Sequence, residues 1–414
     1  MIARAHRSLG RLLVVALVIG AVGLVVPVAR ADPAAGATAA VKLYVSSPRT
    51  QDAPASWTAL DPATLRDEPG GAAFSGSAPW LWAASADGLT LVSIDAPLTR
   101  PTTVTVYDAR SGQVRGRFQA ADGAADPLLS ADGTRLVVQA ADTRDGWDVF
   151  DTGSGRRLSH ISADFEVGNP WLFANVWLDP AGRRLYRLAF GEAAGPAPVQ
   201  LVAFDTGSGR EVGRMALPNV LGQDISYTAG KLLIPAVAIS PDSRTIAVVH
   251  ADEDAMTLVD ATRLAVERTV PLTRSRGLLD RLLGLVPLAP QAAVAKSFSG
   301  AIKQAVFSPD GQRLYVFGQW SDTRVVETAF ASLGLTVVNV ATGRIVASLP
   351  TVSPLAGVLP APNGRDVYAY TTDSNTTLLR LDATDLAREA ERTFAGPRSV
   401  LLWPSVRADS ARRG

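Results

Sequence analysis

The sequence of 414 residues contains no cysteine. This absence excludes disulfide bonds, thiolate catalysis, cysteine-ligated zinc and a lipoprotein anchor. Histidine is nearly as scarce, because only His6, His160 and His250 occur. The 40 Lys and Arg residues almost balance the 39 Asp and Glu residues, and like charges form no block. We therefore expect no nucleic-acid partner, since nothing provides a basic surface for one.

The N-terminus has the organisation of an export signal. A basic start over residues 4–11 precedes the apolar run Leu12–Val28, and Ala29–Ala31 offers a small-x-small cleavage pattern. The run covers 17 residues, from 12 to 28, fewer than the roughly 20 of a spanning helix. We expect 1–31 to be a cleaved signal peptide, with an uncleaved membrane anchor as the alternative, and 32–40 to be a flexible lead-in. The mature protein would be secreted, periplasmic or attached to the cell envelope.

One short pattern recurs six times. A turn tetrapeptide with Pro or Ala second, Asp or Asn usually third and Gly usually fourth precedes an apolar, strand-like run. The copies begin at Ser85, Ser130, Asp179, Ser240, Ser308 and Ala361. Pro presets φ, Asp bonds nearby backbone, and Gly accepts a positive φ, so the tetrapeptide predicts a tight turn. The apolar runs predict strands.

A second pattern, Asp-x-x-x-Gly between two strand-like runs, follows each of these turns. Copies include VYDARSGQVRGRF (106–118), VFDTGSGRRLSHI (149–161) and AFDTGSGREVGRM (203–215). We interpret each copy as a hairpin, and its Asp as a turn residue instead of a catalytic carboxylate, because it occurs once per unit.

Together the two patterns predict units of four antiparallel strands, which are the blades of a β-propeller. We predict an all-β, seven-bladed propeller of four-stranded blades over residues 41–405, with a disordered tail at 406–414. The terminal segment Arg398–Ser405 is expected to pair with Val41–Ser47 and to close the ring, because closure removes an exposed sheet edge.

The repeats resemble the YVTN family of WD40-like bacterial β-propellers. The resemblance rests on LYVFG (314–318), LYVSS (43–47) and VVNVATGRIVASLP (337–350), and it covers 41–405. It implies the fold, but it assigns no active-site residue in this chain. Similar blades occur in amine dehydrogenase heavy chains, lactonases, TolB-like proteins and binding modules.

Extra length is expected on one face of the ring. The two kinds of tight turn share one face of a propeller, whereas the other face holds the loops between second and third strands and the crossovers between blades. Five long connections belong to this second face: Asp95–Thr103, Gly191–Pro198, Pro218–Ala229, Thr273–Gly300 and Gln319–Gly334. Since loops carry function on rigid scaffolds, we predict that this face is the working face; insertions that are merely tolerated there are the alternative.

Two of these connections contain candidate elements. Within 273–300, Leu278, Leu282 and Leu285 lie at helical spacing. They could dock a partner, or they could bury themselves as a cap on the propeller. Residues 321–334 are compatible with a second short helix or with an extended strand hairpin.

Tryptophans are the candidate ligand-binding residues. Trp80, Trp171 and Trp403 fall early in predicted first strands, which line the central channel. They could stack on a sugar or a planar ligand at the channel mouth; packing between blades is the alternative. His250 precedes the acidic run 252–254, but the spacing matches neither an EF-hand nor a zinc site. We predict no metal, no cofactor and no catalytic set, since no G-x-S-x-G elbow occurs.

The sequence leaves two functions open. We favour a monomeric exported propeller that binds a protein or a cell-envelope ligand with its loop-rich face. The alternative is an extracytoplasmic propeller enzyme, a lactonase or a dehydrogenase subunit, with its site at the channel mouth. The residues do not decide whether the protein is an enzyme, and contact with a membrane is expected only through an uncleaved N-terminal anchor.

Overall fold

Thirty strands make up the regular structure of the described residues in this computed structural model. The structure describes residues 40–47, 55–68, 75–76, 82–95, 101–109, 111–122, 125–140, 146–162, 176–190, 197–222, 233–274, 301–322, 329–398 and 400–405. In chain order the strands are β1 (Ala40–Ser46), β2 (Ala55–Leu60), β3 (Ser75–Gly76), β4 (Trp82–Ala84), β5 (Thr90–Asp95), β6 (Pro101–Asp108), β7 (Val114–Asp122), β8 (Ala125–Leu129), β9 (Arg135–Gln139), β10 (Trp147–Asp151), β11 (Arg157–Ile161), β12 (Val176–Leu178), β13 (Arg184–Ala189), β14 (Ala197–Asp205), β15 (Glu211–Gly222), β16 (Leu233–Ile234), β17 (Ala236–Ile239), β18 (Thr245–Val249), β19 (Ala255–Asp260), β20 (Ala265–Pro271), β21 (Thr273–Arg274), β22 (Ala301–Phe307), β23 (Arg313–Asp322), β24 (Ala329–Asn339), β25 (Arg344–Leu349), β26 (Leu355–Pro360), β27 (Asp366–Thr371), β28 (Asn375–Asp382), β29 (Arg388–Ala395) and β30 (Val400–Ser405). Within these ranges no helix is long and apolar enough to cross a membrane.

Six blades are each built from four consecutive strands with antiparallel neighbours. We number them in chain order: blade 1 is β4–β7, blade 2 is β8–β11, blade 3 is β12–β15, blade 4 is β17–β20, blade 5 is β22–β25 and blade 6 is β26–β29. A further sheet, ordered β30-β1-β2-β3, uses both ends of the chain. We call it the closing sheet.

The predicted seven-bladed propeller of four-stranded blades is therefore wrong in its blade count, because the chain supplies six complete blades. The closing sheet falls short of a blade: its inner strand is borrowed from the C-terminus, and its outer strand β3 has only two residues. The expected pairing of the two ends is nevertheless present, with Tyr44 opposite Leu401 and Val41 opposite Pro404.

Blade 5 also departs from the expected four strands. Short strands of the neighbouring connections add to both of its edges, since β16 pairs in parallel with β22 and β21 pairs in parallel with β25. Its β23 and β24 extend as a hairpin, with Ser321 opposite Phe330. For the described residues 321–322 and 329–334, this pairing favours the hairpin over the helix. The predicted helix at Leu278, Leu282 and Leu285 lies outside the described residues, as do the predicted signal peptide and tail.

Apolar clusters join the seven sheets into a closed ring. Consecutive blades share one cluster each, for example Val92 of blade 1 with Leu136 of blade 2. The closing sheet packs on both sides, through Leu43 against Tyr368 of blade 6 and through Trp57 against Leu91 of blade 1. The ring is thus held by burial between sheets, at roughly 25 cal/mol per Å² of apolar surface removed from water.

Burial along the strands explains their sequence pattern. The middle strands lie between two neighbouring sheets, so β9 and β18 are buried at four of five positions and read as continuous apolar runs. The outer strand β25 alternates between exposed and half-buried positions, because only one of its faces meets the core.

Both tight-turn patterns form the structures predicted for them. In four of the tetrapeptide turns the Ser hydroxyl donates to the carboxylate two residues later, over 2.5–2.6 Å: Ser85–Asp87, Ser130–Asp132, Ser240–Asp242 and Ser308–Asp310. In the second pattern the Asp carboxylate accepts from backbone, as from Ser154 N–H to Asp151 at 2.8 Å. The two turn families also touch, since the Thr206 hydroxyl donates to the Gly182 carbonyl at 2.6 Å. They therefore share one face, which we call the turn face; the opposite face is the long-loop face.

In three blades, a tyrosine of the second strand donates a hydrogen bond to the next sheet. We call these three contacts the tyrosine latches. The hydroxyls of Tyr186 and Tyr315 donate to the carbonyls of Ala261 and Ala383, at 3.1 and 3.5 Å. Tyr368 donates to the carbonyl of Pro62 in the closing sheet at 3.1 Å. Burial of these phenols raises their pKa values, so they stay protonated and able to donate.

Candidate functional site: a polar pocket on the long-loop face

A cavity of about 570 Å³ opens at the inner end of the long-loop face, where blades 5 and 6 meet. Its volume falls in the range of roughly 300–1,000 Å³ found for small-molecule sites. We call it the mouth pocket. Its walls come from the first strands β22 and β26, the bulge in β23, the crossover before β26 and the loop after β27. The lining residues are Ile302, Gln304, Gly318, Gln319, Val352, Ser353, Pro354, Leu355, Ala356, Thr372 and Asp373.

The polar side chains of the mouth pocket have no hydrogen-bond partner among the described residues. Within the described part of the chain, the side chains of Gln304, Gln319, Ser353, Thr372 and Asp373 make no hydrogen bond to protein. They comprise two amides, two hydroxyls and one carboxylate, so both donors and acceptors face the cavity. This arrangement can bind a ligand that itself carries several donors and acceptors.

The crossover that forms one wall is fixed by hydroxyl groups. Thr351 Oγ1 lies 2.6 Å from Ser332 Oγ of blade 5 and donates to the carbonyl of Ser353 at 2.9 Å. On the rim beside them, Val352 is fully exposed, whereas Leu355 is buried in the cluster between blades 5 and 6. The wall therefore has a rigid base and an apolar rim.

A β-bulge shapes the opposite wall. The register of β23 against β24 shifts between Phe317 and Gln319, around Gly318. Gly318 has φ of 142°, and a Cβ there would lie 2.1 Å from the carbonyl oxygen of Ile302. Only glycine allows this close approach. The bulge brings Gln319 to the pocket, and the sequence carried no signal that we recognised for it.

Alternation along β22 separates the pocket from a buried lysine. Ile302 and Gln304 face the mouth pocket, whereas Lys303 points to blade 4, because neighbouring strand residues face opposite sides. Lys303 is 8% exposed. Its ammonium donates to the carbonyls of His250 and Glu253, the latter at 3.2 Å. Burial lowers the pKa of Lys303, and the neighbouring carboxylates Asp254, Asp252 and Glu253 oppose this shift.

His250 belongs to the same buried cluster. Its ring nitrogens lie 2.8 Å from Glu253 Oε1 and 2.8 Å from Thr257 Oγ1, and the residue is inaccessible to solvent. Burial lowers its pKa, which the Glu253 carboxylate partly offsets. The cluster holds the loop after β18 against blade 5. Within the described residues, no group of three His, Asp or Glu side chains could hold a metal ion.

The other histidine of the described residues lies at the rim of the ring. His160 in β11 has Nδ1 2.9 Å from Asp148 Oδ1, and Arg157 approaches the same oxygen at 3.2 Å. Because β11 is the outer strand of blade 2, the pair is remote from the mouth pocket and has a structural role.

The predicted tryptophan site is not tested by the structure. Trp80 and Trp171 lie outside the described residues. Trp403 lies in β30, opposite Lys42 of β1. A fourth tryptophan of the first strands, Trp177, packs between blades 3 and 4, which is the alternative role proposed for these residues.

A second cavity, of about 400 Å³, lies on the turn face between blades 3 and 4. Two of its charged groups, Asp179 and Arg184, are already engaged. Asp179 accepts from the backbone of Arg183 and Arg184 at 2.6 and 2.9 Å, and Arg184 donates to the carbonyl of Ala261 at 2.5 Å. The cavity lies beside the hydrogen bond of Tyr186 to blade 4. It can be compared with the mouth pocket, because both cavities belong to the same molecule.

Comparisons with known proteins support the fold. No family model matches the chain, so the YVTN resemblance has no support there, and no curated protein matches it. Two similar structures are the periplasmic gluconolactonase of Pseudomonas aeruginosa (15% identity, TM-score 0.54, 88% of this chain and 99% of the other) and a Bacteroides fragilis protein described as a candidate 6-phosphogluconolactonase (14%, 0.54, 89% and 99%). At this identity the likeness establishes a β-propeller and no shared activity.

Proposed function

We propose that this protein is an exported β-propeller that binds a small polar ligand of the cell envelope in the mouth pocket. The observation that carries the proposal is the set of unpaired polar side chains in one cavity of the long-loop face. Unpaired polar groups that are partly desolvated gain most from a partner that completes their hydrogen bonds. Export rests on the signal-like segment 1–31 of the sequence.

The two faces of the ring differ in a way that supports this choice. On the turn face, Asp, Ser and Thr side chains bond within their own turn or to the neighbouring turn. On the long-loop face, the polar side chains that line the mouth pocket make no such bonds to the residues that the structure describes. The same residue types thus serve the fold on one face and remain available for binding on the other.

Hydrogen–deuterium exchange tests the proposal with a library of monosaccharides, disaccharides, amino sugars, amino acids and sugar lactones at millimolar concentration. At least one compound is expected to slow exchange at 301–304, 318–319 and 352–356 and to leave the turn face near Tyr186 unchanged. Thr372→Val is expected to weaken the effect, whereas the matched Thr262→Val in the turn-face cavity is expected to preserve it. Protection confined to the turn face, or absent with every compound, would refute the proposal.

Hydrolysis of a lactone is the second candidate function, and one observation favours it. The Asp373 carboxylate lines the same cavity as the amides of Gln304 and Gln319. A carboxylate can accept a proton from an attacking water, and amide N–H groups can stabilise a developing oxyanion. A pH-stat assay on sugar lactones would show turnover that Asp373→Asn lowers at least tenfold. No turnover on the panel would exclude this candidate and leave the binding proposal intact.

A further inference from the structure

We propose that the mouth pocket selects a polyhydroxylated ligand that is cationic or uncharged, such as an amino sugar or a neutral sugar, and discriminates against acidic and phosphorylated sugars. This inference rests on the proposed function and names its ligand class. It follows from the side chains that line the pocket and from the orientation of the nearby Lys303 ammonium, which faces away from it.

Charge is the first argument. Asp373 is the one ionisable residue in the lining of the pocket as described. The lysine nearest to Gln304 along the chain is Lys303. Its ammonium faces blade 4 and donates to two backbone carbonyls. Among the described lining residues, an anionic ligand would therefore meet a carboxylate and no compensating cation, whereas an ammonium group would meet an opposite charge.

Hydrogen-bond type is the second argument. Each hydroxyl of a sugar is both a donor and an acceptor, and so are the amides of Gln304 and Gln319 and the hydroxyls of Ser353 and Thr372. Phosphate and carboxylate groups offer acceptors only, so they would use the N–H donors of the two amides and leave the amide oxygens unpaired. A partner with mixed donors and acceptors completes more of the available bonds.

The apolar lining is the third argument. Val352 stands fully exposed on the rim beside the polar groups, whereas Ile302 and Leu355 are each 4% exposed and form the closed base of the cavity. A pyranose ring has C–H faces as well as hydroxyl edges, so this mixed surface can contact both. An ion with a full hydration shell would gain nothing from the apolar part.

The turn-face cavity provides the contrast within the same molecule. It is lined by Arg183 and Arg184, so an anion would find positive charge there. Arg184, however, is bonded to the carbonyls of Ala261 and Thr262. Binding of acidic sugars at this second cavity is therefore the specific alternative outcome.

The test uses four probes that share one ring: glucosamine, glucose, glucuronate and glucose 6-phosphate, with the galactose counterparts beside them. Dissociation constants are measured by NMR titration of the purified protein at low salt. Glucosamine should bind most tightly and glucose next. Glucuronate and glucose 6-phosphate should bind at least about fivefold more weakly than glucosamine, which is the scale of one exposed charge pair.

Two variants separate charge from hydrogen bonding. Asp373→Asn should remove the advantage of glucosamine over glucose, because the amide keeps hydrogen-bonding groups at this position but carries no charge. Gln304→Leu should weaken every probe, and Ser243→Ala in the turn-face cavity should weaken none. Tightest binding by glucose 6-phosphate or glucuronate, or an unchanged order in Asp373→Asn, would overturn the inference. If no sugar binds but another library compound protects the mouth pocket from exchange, the ligand class is wrong and the proposed function stands.

Discussion

The inter-blade tyrosine latches predict a graded series of stability losses on Tyr→Phe substitution. In Tyr368→Phe, the carbonyl of Pro62 loses its only donor among the described contacts. In Tyr186→Phe, the carbonyl of Ala261 keeps Arg184 at 2.5 Å. In Tyr315→Phe, the hydroxyl is already 3.5 Å from the Ala383 carbonyl, a length at which little bond energy remains.

The magnitudes follow from these distances. Tyr368→Phe should cost about 1–2 kcal/mol, because a part-buried acceptor is left unpaired. Tyr186→Phe should cost about 0.5–1 kcal/mol, since one donor remains, and Tyr315→Phe should change stability by less than about 0.5 kcal/mol. Phenylalanine fills nearly the same volume, so the loss of apolar packing is common to the series and small.

Equilibrium urea unfolding of the three variants and the wild type measures the series. The midpoints should fall in the order wild type, Tyr315→Phe, Tyr186→Phe, Tyr368→Phe, with unchanged m-values. Equal losses at all three sites, or the largest loss in Tyr315→Phe, would show that the hydroxyl contacts do not join the blades.

Two further predictions concern local chemistry. Because burial lowers the pKa of His250 from its usual 6.5, the folded protein resists protonation there; the contribution of this residue to stability is complete above pH 6.5 and is lost as pH falls, by at most about 1.4 kcal/mol per pH unit for one proton. His250→Gln should reduce the pH dependence of the melting temperature between pH 7 and 5. An unchanged pH dependence would show that protonation of His250 does not contribute to it. Ser243 has φ of 60° at a turn position where Gly311 has 69°; Ser243→Gly should stabilise the protein by up to about 1 kcal/mol, and Gly311→Ala should destabilise it by about 1 kcal/mol. A stabilising Gly311→Ala in thermal unfolding would show that backbone strain does not control these turns.

Local rules were enough to predict much of the fold. The turn at Ser308–Gly311 depends on residues within one tetrapeptide, so its sequence predicted both the turn and the strand β23 after it. The pairing of Val41–Ser47 with the C-terminal strand could be predicted, because each end of the chain has one strand without a partner in a unit of its own. The blade count did not follow, because an incomplete outer strand such as β3 leaves no distinct pattern in the sequence.

The candidate site depended on contacts that no local pattern encodes. Gln304 and Asp373 are separated by nearly seventy residues and meet only because blades 5 and 6 are neighbours. Lys303 and His250 lie 53 residues apart, and only their contact in the fold shows that the loop after β18 belongs to a buried cluster. In the sequence, Gly318 resembles an ordinary strand residue, and only the structure shows the β-bulge around it.

The most direct test of the account is a crystal structure of the protein soaked with glucosamine. We predict bound density in the mouth pocket, with the amino group near Asp373 and the hydroxyls within hydrogen-bond distance of Gln304 and Thr372. Density at the turn-face cavity beside Arg184, with the mouth pocket holding water alone, would contradict the central claim that the long-loop face recognises the ligand.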